Sequence, residues 1–89
     1  MQSIPRLQFL QATYRGIIRS IQDDIVTYKT MKSVYDKNGN QEMEYEFHNL
    51  LVAARKELKK WVEVQMDCKQ QLRDAYNFER YCNKPSTEV

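Results

Sequence analysis

The sequence has few of the residues that build most catalytic and metal sites. Its 89 residues include only two Gly, two Pro, two Cys and one His. Two glycines are too few for a glycine-rich phosphate loop or for the turns of most all-β folds. One His and two Cys cannot complete a four-ligand zinc site within one chain unless carboxylates contribute. The composition and the absence of a catalytic constellation predict a protein that is not an enzyme and has no cofactor of its own.

Long apolar runs are also missing. No stretch approaches the ~20 consecutive apolar residues of a transmembrane helix, and no apolar run of the secretory type follows the first charge. Apolar residues nevertheless make up 42% of the chain and charged residues 29%, which is too apolar for a disordered chain. The length allows one domain. We predict a single helical domain at residues 1–83 and a flexible polar tail at 84–89.

Acidic residues are absent from the first 22 positions, which contain Arg6, Arg15 and Arg19. The formal net charge of the whole chain is only +2, so this asymmetry is local. A basic, acid-free and amphipathic N-terminus is typical of proteins imported into mitochondria. A helix that simply begins with arginines would have the same pattern, and both interpretations stay open.

Apolar residues recur at helical spacing in the first half of the chain. Ser3 can cap a helix that begins there. The recurring residues are Leu7, Leu10, Tyr14, Ile17, Ile18, Ile21, Ile25, Tyr28 and Met31. Their spacing predicts a helix, but Ser20 followed by Asp23 could start a second one. The sequence therefore leaves open whether residues 4–37 form one helix or two.

A turn and a longer amphipathic segment follow. Lys37, Asn38, Gly39 and Asn40 predict the turn. The later apolar stripe predicts one helix from about Gln41 to about Tyr81. The fold class is therefore all-α, either an antiparallel helical hairpin or a three-helix bundle with a long C-terminal helix. Because two helices cannot enclose a core, we expect a partner, a third helix or self-association to cover the apolar stripes.

The apolar stripes supply the candidate core or interface residues. These are Leu7, Leu10, Ile17, Ile18, Ile21, Leu51, Leu58 and Trp61. Tyr14, Tyr28 and Tyr35 share a heptad line with Leu7 and are expected to pack in the core or an interface. Cys68 is expected in the core and Cys82 at the surface, both as reduced thiols. Glu44 and His48 could share a metal with a third ligand, although a surface His beside a Glu is commoner.

A basic cluster lies within the second amphipathic segment. Arg55, Lys56, Lys59 and Lys60 have the spacing that places charges on one helix face. Such a patch attracts an acidic protein surface or a phosphate, and a solvated helix face is the alternative. Nucleic acid is not the expected partner, because the overall charge is far from strongly basic.

One short segment resembles a known signature. Tyr14, Arg15, Ile17, Ile18 and Arg19 match the first-helix pattern of the mitochondrial LYR-motif proteins, and Thr13 stands where those proteins have Leu. The Tyr-Arg-Gly sequence resembles the branch that assists ATP synthase assembly. Lys32 and Tyr35 stand where the second helix of that family has a basic and an aromatic residue.

The resemblance implies a three-helix adaptor or assembly factor of the mitochondrial matrix. It implies binding to the acidic acyl carrier protein, whose acyl-phosphopantetheine enters between the helices, and to a client from the respiratory chain or ATP synthase. The implied partner-binding residues are Tyr14, Arg15, Arg19, Lys32, Tyr35, Arg55, Lys56 and Lys59. The alternative is a structural hairpin or coiled-coil module, intracellular and soluble, that self-associates or binds a partner helix.

Overall fold

The computed structural model describes residues 3–82 as two α-helices joined by a short turn. Helix α1 spans Ile4–Lys37 and helix α2 spans Gln41–Cys82. No strand occurs among these residues. The all-α hairpin is therefore confirmed, and the predicted long second helix ends one residue later than expected. The flexible tail predicted at residues 84–89 lies outside the described residues.

The three-helix alternative is wrong for the described part of the chain, because α1 continues unbroken through Ser20 and Asp23. Ile18 and Ile25 are both buried on either side of this point. A break would remove one of them from the contact with α2. Thr27 Oγ1 donates to the Asp23 carbonyl at 3.1 Å, so a side chain that could have favoured a turn instead bonds within the helix.

Caps define the start of each helix. The Ser3 side chain accepts a hydrogen bond from the Arg6 N–H at 3.4 Å, and the Asn40 side chain accepts one from the Met43 N–H at 3.2 Å. Between the helices, Gly39 has φ +74, the left-handed conformation that L-residues with a Cβ rarely adopt. This residue reverses the chain and makes the two helices antiparallel.

The two glycines are expected to respond in opposite directions to alanine. Gly39→Ala should lower the free energy of unfolding by about 1 kcal/mol, because its positive φ disfavours a Cβ. Gly16→Ala should raise it by up to about 1 kcal/mol, because Gly16 lies inside α1 and an added Cβ would meet nothing within 4 Å. Urea unfolding followed by circular dichroism measures both. Equal shifts of the same sign would contradict the turn geometry.

The helices pack along a seam that repeats every seven residues. From Ile4 to Tyr35 and from Glu44 to Ala75, all residues at the two inward heptad positions are buried or half-buried, whereas Glu79 and Cys82, which continue the spacing at the end of α2, are exposed. In α1 they are Ile4, Leu7, Gln11, Tyr14, Ile18, Ile21, Ile25, Tyr28, Lys32 and Tyr35, and in α2 they are Glu44, Phe47, Leu51, Ala54, Leu58, Trp61, Gln65, Cys68, Leu72 and Ala75. Constant inward positions over so many turns are characteristic of a coiled coil.

Two buried clusters hold this seam together. Near the open end of the hairpin, Leu7 packs with Cys68 and Ala75. Nearer the turn, Ile25 packs with Leu51, and Ala54 completes the cluster. The Cys68 thiol is buried and donates to the Leu7 carbonyl at 3.4 Å. Cys82 is exposed, so the expected positions of both cysteines are confirmed.

The predicted core residues divide into two groups. Leu7, Ile18 and Leu51 are buried. The remaining ones are half-buried, namely Leu10, Ile17, Ile21, Leu58 and Trp61. Leu10 and Ile17 lie one position outside the seam and leave part of their surface uncovered. The seam residues Ile21, Leu58 and Trp61 are also only half-buried, so the hairpin covers its apolar stripes in part.

Candidate partner-binding flanks

Two side-chain contacts cross between the helices on one side of the seam. Near the open end, Gln8 Nε2 donates to the Tyr76 hydroxyl at 2.6 Å. Near the turn, Lys32 Nζ lies 3.3 Å from His48 Nδ1. Because the seam repeats every seven residues, side chains at seven-residue intervals between these contacts lie along the same side of the hairpin.

This side, which we call the basic flank, carries nine of the 14 lysine and arginine residues. They are Arg15, Arg19, Lys29 and Lys32 of α1 and Arg55, Lys59, Lys69, Arg73 and Arg80 of α2. At a rise of ~1.5 Å per residue they extend over roughly 50 Å. The acidic residues of this flank, Asp36, Glu44 and Glu79, lie toward its two ends. The middle of the flank is therefore uniformly positive, which favours an anionic surface.

Two open grooves lie on the basic flank, and the one near the turn brings cations of both helices together. This groove of about 390 Å³ is lined by Lys29 and Lys32 from α1 and by Arg55 from α2, and the carboxylates Asp36 and Glu44 also line it. At the open end, a groove of about 730 Å³ is lined by Lys69 and Arg73. The charges of the two helices thus act on the same solvent-facing surface.

The structure places five of the predicted partner-binding residues on the basic flank. They are Arg15, Arg19, Lys32, Arg55 and Lys59. All except Lys32 are exposed, and Lys32 is half-buried. On this side of α1, no acidic side chain lies between Arg15 and Lys32. These five cations can therefore meet one anionic partner together.

Tyr14 and Tyr35 lie in the seam and not on the flank. The Tyr14 ring centroid is 5.8 Å from that of Trp61, and the Tyr35 ring stacks on Phe47 at 5.6 Å with an interplanar angle of 19°. Aromatic pairs of this kind contribute ~0.5–1.5 kcal/mol beyond area burial. Both rings occupy the space between the helices, where the resemblance implies an acyl chain.

The four-residue basic cluster of α2 is divided by the structure. Arg55 and Lys59 belong to the basic flank, whereas Lys56 lies on the outer surface of α2. Lys60 Nζ is 5.8 Å from the ring centroid of Trp61, on the other side. The four residues that were predicted to share one helix face span about 140° of the circumference of α2. This angle is wide enough to distribute them over three surfaces of the hairpin.

No family model, no curated protein and no solved structure matches this chain. The resemblance to LYR-motif proteins and the mitochondrial location remain predictions.

Four cations of the basic flank were not among the predicted partner-binding residues. They are Lys29, Lys69, Arg73 and Arg80. A signal for two of them was present, because Lys29 follows Arg15 by 14 residues and Lys69 follows Arg55 by 14. Two heptads separate the members of each pair, so each pair shares a helix side.

Metal ligation and membrane crossing were also examined in residues 3–82. No group of three His, Cys, Asp or Glu side chains there could hold a metal ion. Neither helix combines the length and the apolarity that crossing a bilayer requires. The predicted Glu44–His48 pair therefore has no third ligand of these types within the described residues, and His48 Nδ1 lies 3.3 Å from Lys32 Nζ.

Proposed function

We propose that this chain is a non-enzymatic adaptor that binds an acidic helical protein along its basic flank. The observation that carries the proposal is the gathering of nine cations from both helices on one side of the seam. A helix laid against this side would contact α1 and α2 at once and complete a three-helix bundle. Its carboxylates would face the cations, and complementary charge speeds encounter and fixes the orientation of a partner.

Exposed apolar side chains on the same flank support a protein partner. Val26 is 63% exposed and Met66 is 64% exposed, and both lie between the cations. Burying such side chains contributes about 25 cal/mol per Å² of apolar surface. An amphipathic acidic helix would cover these side chains and also pair with the arginines and lysines, which a purely polar polyanion would not do.

The resemblance to LYR-motif proteins makes an acyl carrier protein the specific candidate. In that interpretation Arg15, Arg19 and Arg55 contact acidic carrier helices and the phosphate of phosphopantetheine, and a respiratory-chain or ATP synthase component is the client. An acyl chain entering the seam would have to displace the Tyr14–Trp61 ring pair. A location in the mitochondrial matrix belongs to the same interpretation.

Titration calorimetry with purified acyl carrier protein tests this function. We expect binding at about 0.05 M salt that weakens at least tenfold at about 0.5 M, because exposed charges are screened beyond the Debye length. Intact-mass spectrometry of the complex purified from cells would identify the acidic partner and any acyl-pantetheine mass. Failure to bind the carrier, together with a native complex that contains no acidic helical protein, would contradict the proposal.

A further inference from the structure

The side of the hairpin opposite the basic flank presents a second partly covered surface. Ile17 of α1 and Glu57 of α2 line an open groove of about 550 Å³ there, with Trp61 between them. Residues at seven-residue intervals from Ile17 in α1 and from Glu57 in α2 extend this surface along both helices. We call this surface the apolar flank, and its apolar residues are Leu10, Ile17, Met31, Met43, Leu50, Val64 and Phe78.

Small residues of α1 line one edge of the groove on the apolar flank. Thr13, Gly16 and Ser20 form one edge of the groove, and all three are exposed. A Cβ added at Gly16 would meet nothing within 4 Å. Leu50 is 44% exposed on the same flank. A helix lying here could therefore pack against the α1 backbone as well as against the larger apolar side chains.

The charge of the apolar flank is opposite to that of the basic flank. Asp24 and Glu57 lie at its middle, where they interrupt the apolar rows of α1 and α2. Its outer edges add the carboxylates Glu46, Asp67 and Asp74 and the cations Arg6 and Lys60, so acids outnumber bases on this flank. A second copy of this chain would present the same excess of acids to this flank, which is unfavourable. A helix with lysines or arginines beside its apolar face has the complementary charge.

We propose that the apolar flank binds a basic amphipathic helix of another protein. The apolar face of that helix packs on Ile17, Trp61 and Leu50. Its cations face Asp24 and Glu57. This inference rests on the opposite side of the hairpin from the proposed acidic partner, so either can fail without the other.

A pair of designed peptides tests the charge and the position of this site. Each peptide is a helix of about three heptads with Leu at the seam positions. One carries Lys at the flanking positions and its twin carries Glu. Binding is followed through the fluorescence of Trp61, the single tryptophan of the chain, which lies at the groove. We expect the Lys peptide to bind with a blue shift of the Trp61 emission.

Two doubly substituted variants of equal net charge locate the binding. Asp24→Lys with Glu57→Lys should weaken binding of the Lys peptide at least about tenfold and transfer the preference to the Glu peptide. Asp23→Lys with Glu63→Lys is the matched control, because those carboxylates are exposed outside both flanks, and it should leave the preference for the Lys peptide unchanged.

Three results would overturn the inference. The first is equal binding of the two peptides by the unaltered chain. The second is an equal loss of Lys-peptide binding in both doubly substituted variants. The third is a concentration-dependent dimer in sedimentation equilibrium that Ile17→Asp dissociates, since that would assign the apolar flank to a second copy of this chain.

Discussion

Reversing the charges of Arg15 and Arg55 together is expected to weaken binding of an acidic helical partner about 100-fold, at about 1.4 kcal/mol per tenfold change. The two residues are exposed and lie on the basic flank, one on each helix. Arg15→Glu with Arg55→Glu therefore places a carboxylate on each helix of the basic flank against the partner's carboxylates. Titration calorimetry at constant ionic strength measures the change.

The matched control changes the same net charge elsewhere. Lys56→Glu with Lys60→Glu alters one residue on the outer surface of α2 and one beside Trp61. We expect this variant to lose less than about threefold in affinity, since charges outside an interface act mainly through the screened field. Circular dichroism should show unchanged helicity in both variants. A similar loss in the two variants would mean that net charge, and not the basic flank, determines binding.

Leu51→Ala is expected to lower the free energy of unfolding by about 2–4 kcal/mol. Leu51 is 4% exposed and lies in the buried cluster with Ile25 and Ala54. Its truncation removes contacts from both helices and leaves a cavity that a two-helix seam can fill only by shifting α1. Urea unfolding monitored by circular dichroism gives the change directly.

The neighbouring leucine provides the control for that experiment. Leu50 is 44% exposed, so Leu50→Ala should change the free energy of unfolding by no more than about 0.5 kcal/mol. The same variant should weaken a helix bound to the apolar flank. If the two leucines had equal effects on unfolding, the assignment of Leu51 to the seam would be wrong.

The sequence was sufficient to predict α2. It was not sufficient to predict that α1 is one continuous helix. The turn from Asn38 to Asn40 and the uninterrupted stripe after it have only one helical interpretation. In α1, Ser20 and Asp23 are also good capping residues, and local preference alone does not decide between a cap and a helix interior. The decision comes from α2, because Ile21 and Ile25 must stay on one line to pack in the cluster that contains Leu51 and Ala54.

Which residues share a flank cannot be read from either helix alone. The heptad spacing places Arg15 beside the seam of α1 and Arg55 beside the seam of α2. Whether the two lie on the same side depends on the antiparallel pairing, which the Gln8–Tyr76 and Lys32–His48 contacts reveal. For the same reason the sequence alone suggested one continuous patch from Arg55 to Lys60, which the structure divides.

The antiparallel arrangement also determines how the hairpin responds to mechanical force. Ser3 and Cys82 both lie at the end opposite the Gly39 turn. Pulling on these two points loads the seam contacts one after another, starting with Leu7 and Cys68, and leaves the Tyr35–Phe47 stack until last. The seam contacts would therefore break sequentially at low force. A partner that binds both helices would raise the force needed to separate them.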